Sequence, residues 1–240
     1  MQENYKNWYS DKIHREFEML TFGHAGLPVI LFPTSYGRHY ENKDRGLVGS
    51  VSWFVDQGLI KIYCPDGFDK ESWYNKAIHP VDRIRNFANY ERVIMEEVVP
   101  QALHETGKQK VILAGCSFGG FHAVNFAFRK PEQVSHVISM FAAFENRSFL
   151  DGHYDEQAYF FNPIDYMANI GESWHLENIR KMGIILSTGE HDICKNANYQ
   201  FSQILRSKGI NHWLDDKPNA IHDWHEWQAV FPKYVSSITQ

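Results

Sequence analysis

The sequence predicts an α/β fold, a mainly parallel β-sheet flanked by helices on both faces, and three observations carry that expectation. Short apolar runs alternate with longer segments of helical spacing, the pattern of crossover connections between parallel strands. The 240 residues are 43% apolar and 22% charged, a balance suited to one sizeable folded domain. No internal repeat, low-complexity tract or long polar linker divides the chain, so residues 1–240 read as a single domain.

The elements follow in order. Residues 17–22 alternate and predict a strand, while residues 27–33 and 59–64 predict buried strands. Residues 81–104 carry Ile84, Phe87, Ile94 and Val98 at helical spacing, with Pro100 expected to kink or end the helix. A strand at 111–114 leads to a helix at 118–129 that closes before Pro131. Strands at 134–141 and 183–187 follow, then a helix at 197–208 capped by Gly209. A short strand-like run at 211–214 precedes a terminal helix. In such sheets reactive groups gather beyond the C-terminal ends of the strands.

Composition excludes several classes. A formal charge of −5 gives no basic footprint, so nucleic acid is not expected as a partner. Cys64, Cys116 and Cys194 are odd in number and lack metal-type spacing, which predicts neither a disulfide framework nor a metal centre. The opening M-Q-E-N-Y-K-N-W has no signal-peptide core and no run approaches a membrane span. The expectation is a cytoplasmic protein without a membrane partner. Oligomeric state is left open, a homodimer included.

Four motifs sit just after strands. G-C-S-F-G at 115–119 is a G-x-S-x-G between a strand and a helix, where a tight turn would expose the Ser117 hydroxyl. The Phe118 N–H would then face a developing oxyanion at a helix N-terminus. T-G-E-H-D-I-C at 188–194 offers Asp192 as an acid, with Glu190 its close competitor. A-I-H-D-W-H-E-W at 220–227 offers His222 as a base, with His225 the alternative. F-P-T-S-Y-G-R-H-Y-E-N at 32–42 is the place for a second oxyanion donor: Ser35 N–H first, Thr34 or Tyr36 otherwise. The order Ser117, Asp192, His222 is that of the α/β hydrolases, unlike the chymotrypsin and subtilisin orders. Aromatic residues suggest a substrate pocket from Tyr36, Trp73, Tyr74, Phe144 and Phe161. Segment 144–171 is a candidate lid or pocket lining.

Together these strings resemble the serine esterase branch of the α/β-hydrolase superfamily, over most of the chain. They are similar to bacterial "esterase family" proteins, and more distantly to S-formylglutathione hydrolases, feruloyl esterases and mycolyltransferases. The resemblance rests also on P-D-G-F-D-K-E-S-W-Y at 65–74, F-N-P-I-D-Y at 161–166, G-E-H-D-I-C at 189–194 and H-D-W-H-E-W at 222–227. It departs where Ala220-Ile221 replaces a glycine ahead of the histidine. It implies an α/β-hydrolase fold and a serine esterase in which Ser117 is nucleophile, His222 base and Asp192 the orienting acid. The substrate expected is a small or short-acyl ester, cleaved through an acyl-enzyme without metal or organic cofactor. An acyltransferase with the same three residues, or a non-catalytic binding protein on this fold, is the alternative.

Overall fold

A computed structural model describes residues 1–239. Its strands are β1 (Glu3–Ser10), β2 (Arg15–Phe22), β3 (Leu27–Phe32), β4 (Ile60–Pro65), β5 (Val111–Cys116), β6 (Val134–Met140), β7 (Gly183–His191) and β8 (Trp213–Ile221). They form one sheet in the order β1-β2-β4-β3-β5-β6-β7-β8. The pairings β1–β2 and β2–β4 are antiparallel; from β4 across to β8 every pairing is parallel. Register aligns the strand ends that matter: Phe32 pairs with Gly115, Cys116 with Met140, and Met140 with Ser187. The segments leaving β3, β5 and β7 therefore emerge along one edge.

The helices are α1 to α3 (Glu41–Asp44, Leu47–Ser50, Ser52–Asp56), α4 (Pro80–Val93), α5 (Val99–Thr106), α6 (Phe118–Arg129), α7 (Glu156–Phe160), α8 (Pro163–Asn169), α9 (Trp174–Arg180), α10 (Lys195–Ser207) and α11 (Trp224–Ile238). Strand alternation sends Ile30, Phe32, Leu113, Val137 and Leu186 to one face, against Phe87, Phe121, Phe126 and Phe201 of α4, α6 and α10. Val29, Leu31, Ile112, Ala114 and Ile138 point the other way, against Val48, Val55, Phe231 and Tyr234 of α2, α3 and α11. Burying each large apolar side chain contributes about 1.5–3 kcal/mol. Helices thus cover both faces.

Several elements differ from expectation for identifiable reasons. Pro100 does not end its helix: a π-helical turn over Ile94–Val98 separates α4 from α5, and Pro100 falls in the first turn of α5. The three segments run on without a break, Val98 and Val99 both helical, and the widened π turn lets the helix pass a residue that has no N–H to donate. β8 extends far past residue 214, because an edge strand can carry exposed Asp216, Pro218 and Asn219, while Asp215 accepts the Tyr234 hydroxyl at 2.8 Å. β1 has no apolar run to announce it; its Tyr5 and Tyr9 are exposed and only Ser10 is buried. The three cysteines are unpaired. Among the described residues no helix is long and apolar enough to cross a membrane.

Leu31 is fully buried in the middle of the sheet. Leu31→Ala is expected to lower unfolding free energy by about 2–5 kcal/mol, read as a lower urea midpoint at unchanged slope.

Candidate active site

β5 delivers the chain to Ser117, whose backbone adopts φ 54 and ψ −123. A serine held at positive φ stores about 1–3 kcal/mol of strain, so the surroundings must enforce it. They do so by contact. A Cβ on Gly115 would lie 2.3 Å from the Gly119 carbonyl carbon, and one on Gly119 would lie 2.5 Å from the Pro33 carbonyl oxygen. The Ser117 N–H donates to the Met140 carbonyl at 2.8 Å, tying the turn to β6. Its carbonyl accepts from Gly120 and Phe121 at 3.0 and 3.3 Å. The N–H groups of Phe118 and Gly119, at the start of α6, have no acceptor within the helix.

Two further strands bring partners to Ser117. The loop leaving β7 carries Asp192, and the end of β8 leads into His222. His222 Nδ1–H donates to Asp192 Oδ1 at 2.7 Å, and His222 Nε2 accepts from Ser117 Oγ at 2.9 Å. That tautomer follows because a carboxylate can only accept. Asp192 Oδ1 also receives the Cys194 N–H at 3.0 Å, and Oδ2 the Thr188 hydroxyl at 2.7 Å. Burial pushes the Asp192 carboxyl up, but these donors, His222 first, outweigh it and hold the group below its usual range. Trp227 meets the His222 ring edge-on at 5.1 Å. Glu190 instead accepts the Asn219 N–H, and His225 pairs with Asp223 and Glu226 on the exposed start of α11.

The segment after β3 lies opposite. Thr34 N–H donates to Glu41 Oε2 at 2.8 Å, and Tyr36 N–H donates to Asp69 Oδ2 at 3.3 Å. Both alternative donors are therefore engaged, whereas Ser35 N–H has no acceptor among the described residues. The Ser35 hydroxyl meets the Tyr74 phenol at 2.8 Å. Burial pushes the Glu41 carboxyl up even though Thr34 donates to it twice.

Ser35, Ser117 and Phe118 line one cavity of about 280 Å³, with Tyr74, Ala143, Glu145, Ser148, Phe149, Ile193 and Cys194 completing its wall. Of the five aromatic residues expected to form a substrate pocket, Tyr74 is the one on that wall. Trp73, Phe144 and Phe161 are fully buried and do not reach it. Trp73 packs on Phe87, Phe144 stacks on Phe201, and Phe161 lies edge-on to Phe87. These large rings are core because their loops cross the α4 and α10 side of the sheet. Tyr36 faces a separate, charged cavity of about 470 Å³, its ring resting on Tyr74 at 4.2 Å. Glu145, Ser148 and Phe149 reach the wall from the start of segment 144–171, the candidate lining, whereas Ile193 had no spacing to mark it. Segment 144–171 is pinned to the core, the Asn125 and Asn146 side chains both donating to the Phe161 carbonyl.

Among the described residues, two groups have ligand atoms close enough for a cation: Asp192, Cys194 and His222, and Glu18, His39 and Asp66. In the first, Asp192 and His222 already bond each other; burial pushes the Cys194 thiol up to about 12, away from a metal-binding thiolate. In the second, the Arg38 guanidinium pairs with both Glu18 and Asp66 and supplies the positive charge.

The sheet order, the flanking helices and the sharp turn between β5 and α6 define an α/β-hydrolase fold. The family model described as "Putative esterase" matches residues 58–238, and the chain belongs to that esterase family. It is a serine esterase, a hydrolase of carboxylic esters. Among solved structures it is similar to a ferulic acid esterase (16% identity, TM-score 0.79, 99% of this chain and 98% of that one). It is similar also to an S-formylglutathione hydrolase from Agrobacterium tumefaciens (12%, TM-score 0.75, 99% and 94%). A third likeness is to MPT51 from Mycobacterium tuberculosis (12%, TM-score 0.70, 98% and 98%). At these identities the likeness is one of fold. No curated protein matches.

Two outcomes follow. Gly115→Ala is expected to destabilise the fold by about 1–3 kcal/mol, because the clash is with backbone and not with a movable side chain; urea unfolding measures it. Since the Asp192 carboxyl lies below its unfolded value of 3.8, its contribution is complete above that value and is lost as pH falls through the folded one. The stability advantage of the wild type over Asp192→Asn should therefore shrink below about pH 4 in urea titrations across pH 2–7.

Proposed function

We propose that the chain hydrolyses small or short-acyl esters through a Ser117–His222–Asp192 triad and an acyl-enzyme. His222 Nε2 takes the hydroxyl proton as Ser117 Oγ attacks the ester carbonyl carbon. The imidazolium that forms is steadied by Asp192, already ionised and aimed at Nδ1. The carbonyl oxygen becomes an oxyanion facing the Phe118 and Ser35 N–H groups, which have no acceptor to give up first. Collapse breaks the C–O bond, and the departing alkoxide takes the proton from His222. Water then adds to the acyl carbon with His222 again as base, releasing the acid and restoring Ser117.

The observation that carries this mechanism is the unbroken relay from Asp192 Oδ1 to His222 at 2.7 Å and from His222 to Ser117 Oγ at 2.9 Å. The short-acyl preference rests on the cavity: about 280 Å³ is at the small end for a ligand site, and Tyr74, Phe118 and Phe149 close one side.

With p-nitrophenyl acetate, Ser117→Ala and His222→Ala are expected to lower kcat by about 10⁴-fold or more at unchanged folding. Asp192→Asn should lower it by about 10³–10⁴-fold, because the histidine loses its correct tautomer. Full activity in Ser117→Ala would end the proposal. Across acetyl, butyryl and decanoyl esters, kcat/KM should fall by at least about tenfold at the longest chain; equal or rising values would remove the short-acyl preference.

A further inference from the structure

Asp69 and His122 form a buried polar pair outside the relay, 2% and 1% exposed respectively. His122 Nε2–H donates to Asp69 Oδ1 at 3.0 Å. His122 Nδ1 has no hydrogen-bond partner, and its imidazole sits among aromatic rings, with centroids 4.8, 5.5 and 5.7 Å from those of Phe118, Phe87 and Tyr90. The second oxygen of Asp69 accepts the Tyr36 N–H.

These bonds join three separate segments. His122 belongs to α6, the helix that begins one residue after Ser117. Asp69 lies in the loop after β4, and its carbonyl accepts the Tyr74 N–H at 3.0 Å. Tyr36 directly follows Ser35. One carboxylate thus fixes the peptide next to the Ser35 N–H relative to the helix that supplies the Phe118 N–H. Glu41 holds Thr34 on the other side, and the Tyr74 phenol holds the Ser35 side chain. A buried polar pair of this kind is a poor source of stability, since apolar residues of like volume often serve as well. A fixed distance between two backbone donors is something apolar packing supplies less sharply, and oxyanion stabilisation depends on it.

We infer that Asp69, backed by His122, is a positioning residue that sets the Ser35 N–H against the Phe118 N–H at the transition-state oxyanion. The inference rests on the proposed Ser117 mechanism. It assigns Asp69 no contact with substrate; the residue acts through the Tyr36 N–H alone.

The test compares wild type, Asp69→Leu, Asp69→Asn, the Asp69→Leu/His122→Phe double variant and Ser117→Ala. Active sites are counted by the end point of fluorophosphonate labelling, so that kcat refers to folded sites only. A trifluoromethyl ketone, which forms a hemiketal oxyanion on serine, reports the donors directly. Asp69→Leu and the double variant should lose about 30–100-fold in kcat per labelled site, with KM within about threefold. Ketone affinity should fall by a similar factor. Asp69→Asn should recover most of kcat, because its amide oxygen still accepts the Tyr36 N–H and its NH₂ can donate to the other tautomer of His122.

A purely structural role predicts fewer labelled sites with normal kcat at each, and that result would overturn the inference. So would unchanged ketone affinity, an effect on KM alone, or a double variant that does not fold, since the pair must be dispensable for folding. Undiminished hydrolysis by Ser117→Ala would instead remove the underlying mechanism. Its loss there, beside normal Asp69 variants, would remove the positioning role alone.

Discussion

The left-handed turn at Ser117 is the constraint on which the remaining arrangement depends. Its φ of 54 is costly for any side chain, and it survives because the chain on either side has no room to relax. Gly115 abuts Gly119, and Gly119 abuts the Pro33 carbonyl. That packing exists only while β3, β5 and β6 keep their register, with Phe32 beside Gly115 and Cys116 beside Met140. The sheet is therefore part of the site. Its two apolar faces hold the register, the register holds the turn, and the turn presents Ser117 Oγ at the head of α6.

Around that turn stand three carboxylates, Asp192 and Asp69 buried and Glu41 half-buried. Asp192 faces His222 and gathers enough donors to stay ionised despite burial. Asp69 and Glu41 bind no reacting group; each receives a backbone N–H beside Ser35. With fixed carboxylates receiving the N–H groups of Thr34 and Tyr36, the Ser35 N–H between them is left without an acceptor among the described residues. In the proposed mechanism such preorganisation would act in the transition state, because no bond has to break when the oxyanion forms.

Much of this was legible in the sequence where local chemistry is restrictive. The strand-to-helix context of G-C-S-F-G, and the order of serine, aspartate and histidine after successive strands, singled out the three residues that the fold brings together. The central strands were legible because residues buried on both faces form continuous apolar runs. Edge strands were not: β1 and most of β8 carry polar residues that read as loop. The cavity wall was the least legible part. Trp73, Phe144 and Phe161 have the composition of a pocket but are core; only the first residues of segment 144–171, among them Glu145 and Ser148, reach the wall, and Ile193 joins them with no local signal. Which loop residues meet in space is decided by tertiary packing, and a single sequence does not encode that locally.

The most direct measurement of the central claim is the site of covalent modification. After inactivation by a fluorophosphonate, peptide mapping by mass spectrometry should find one phosphonyl group per chain, on Ser117, accumulating in step with loss of esterase activity. Complete inactivation without mass added at Ser117, or a fully modified Ser117 in a chain that still hydrolyses esters, would contradict it.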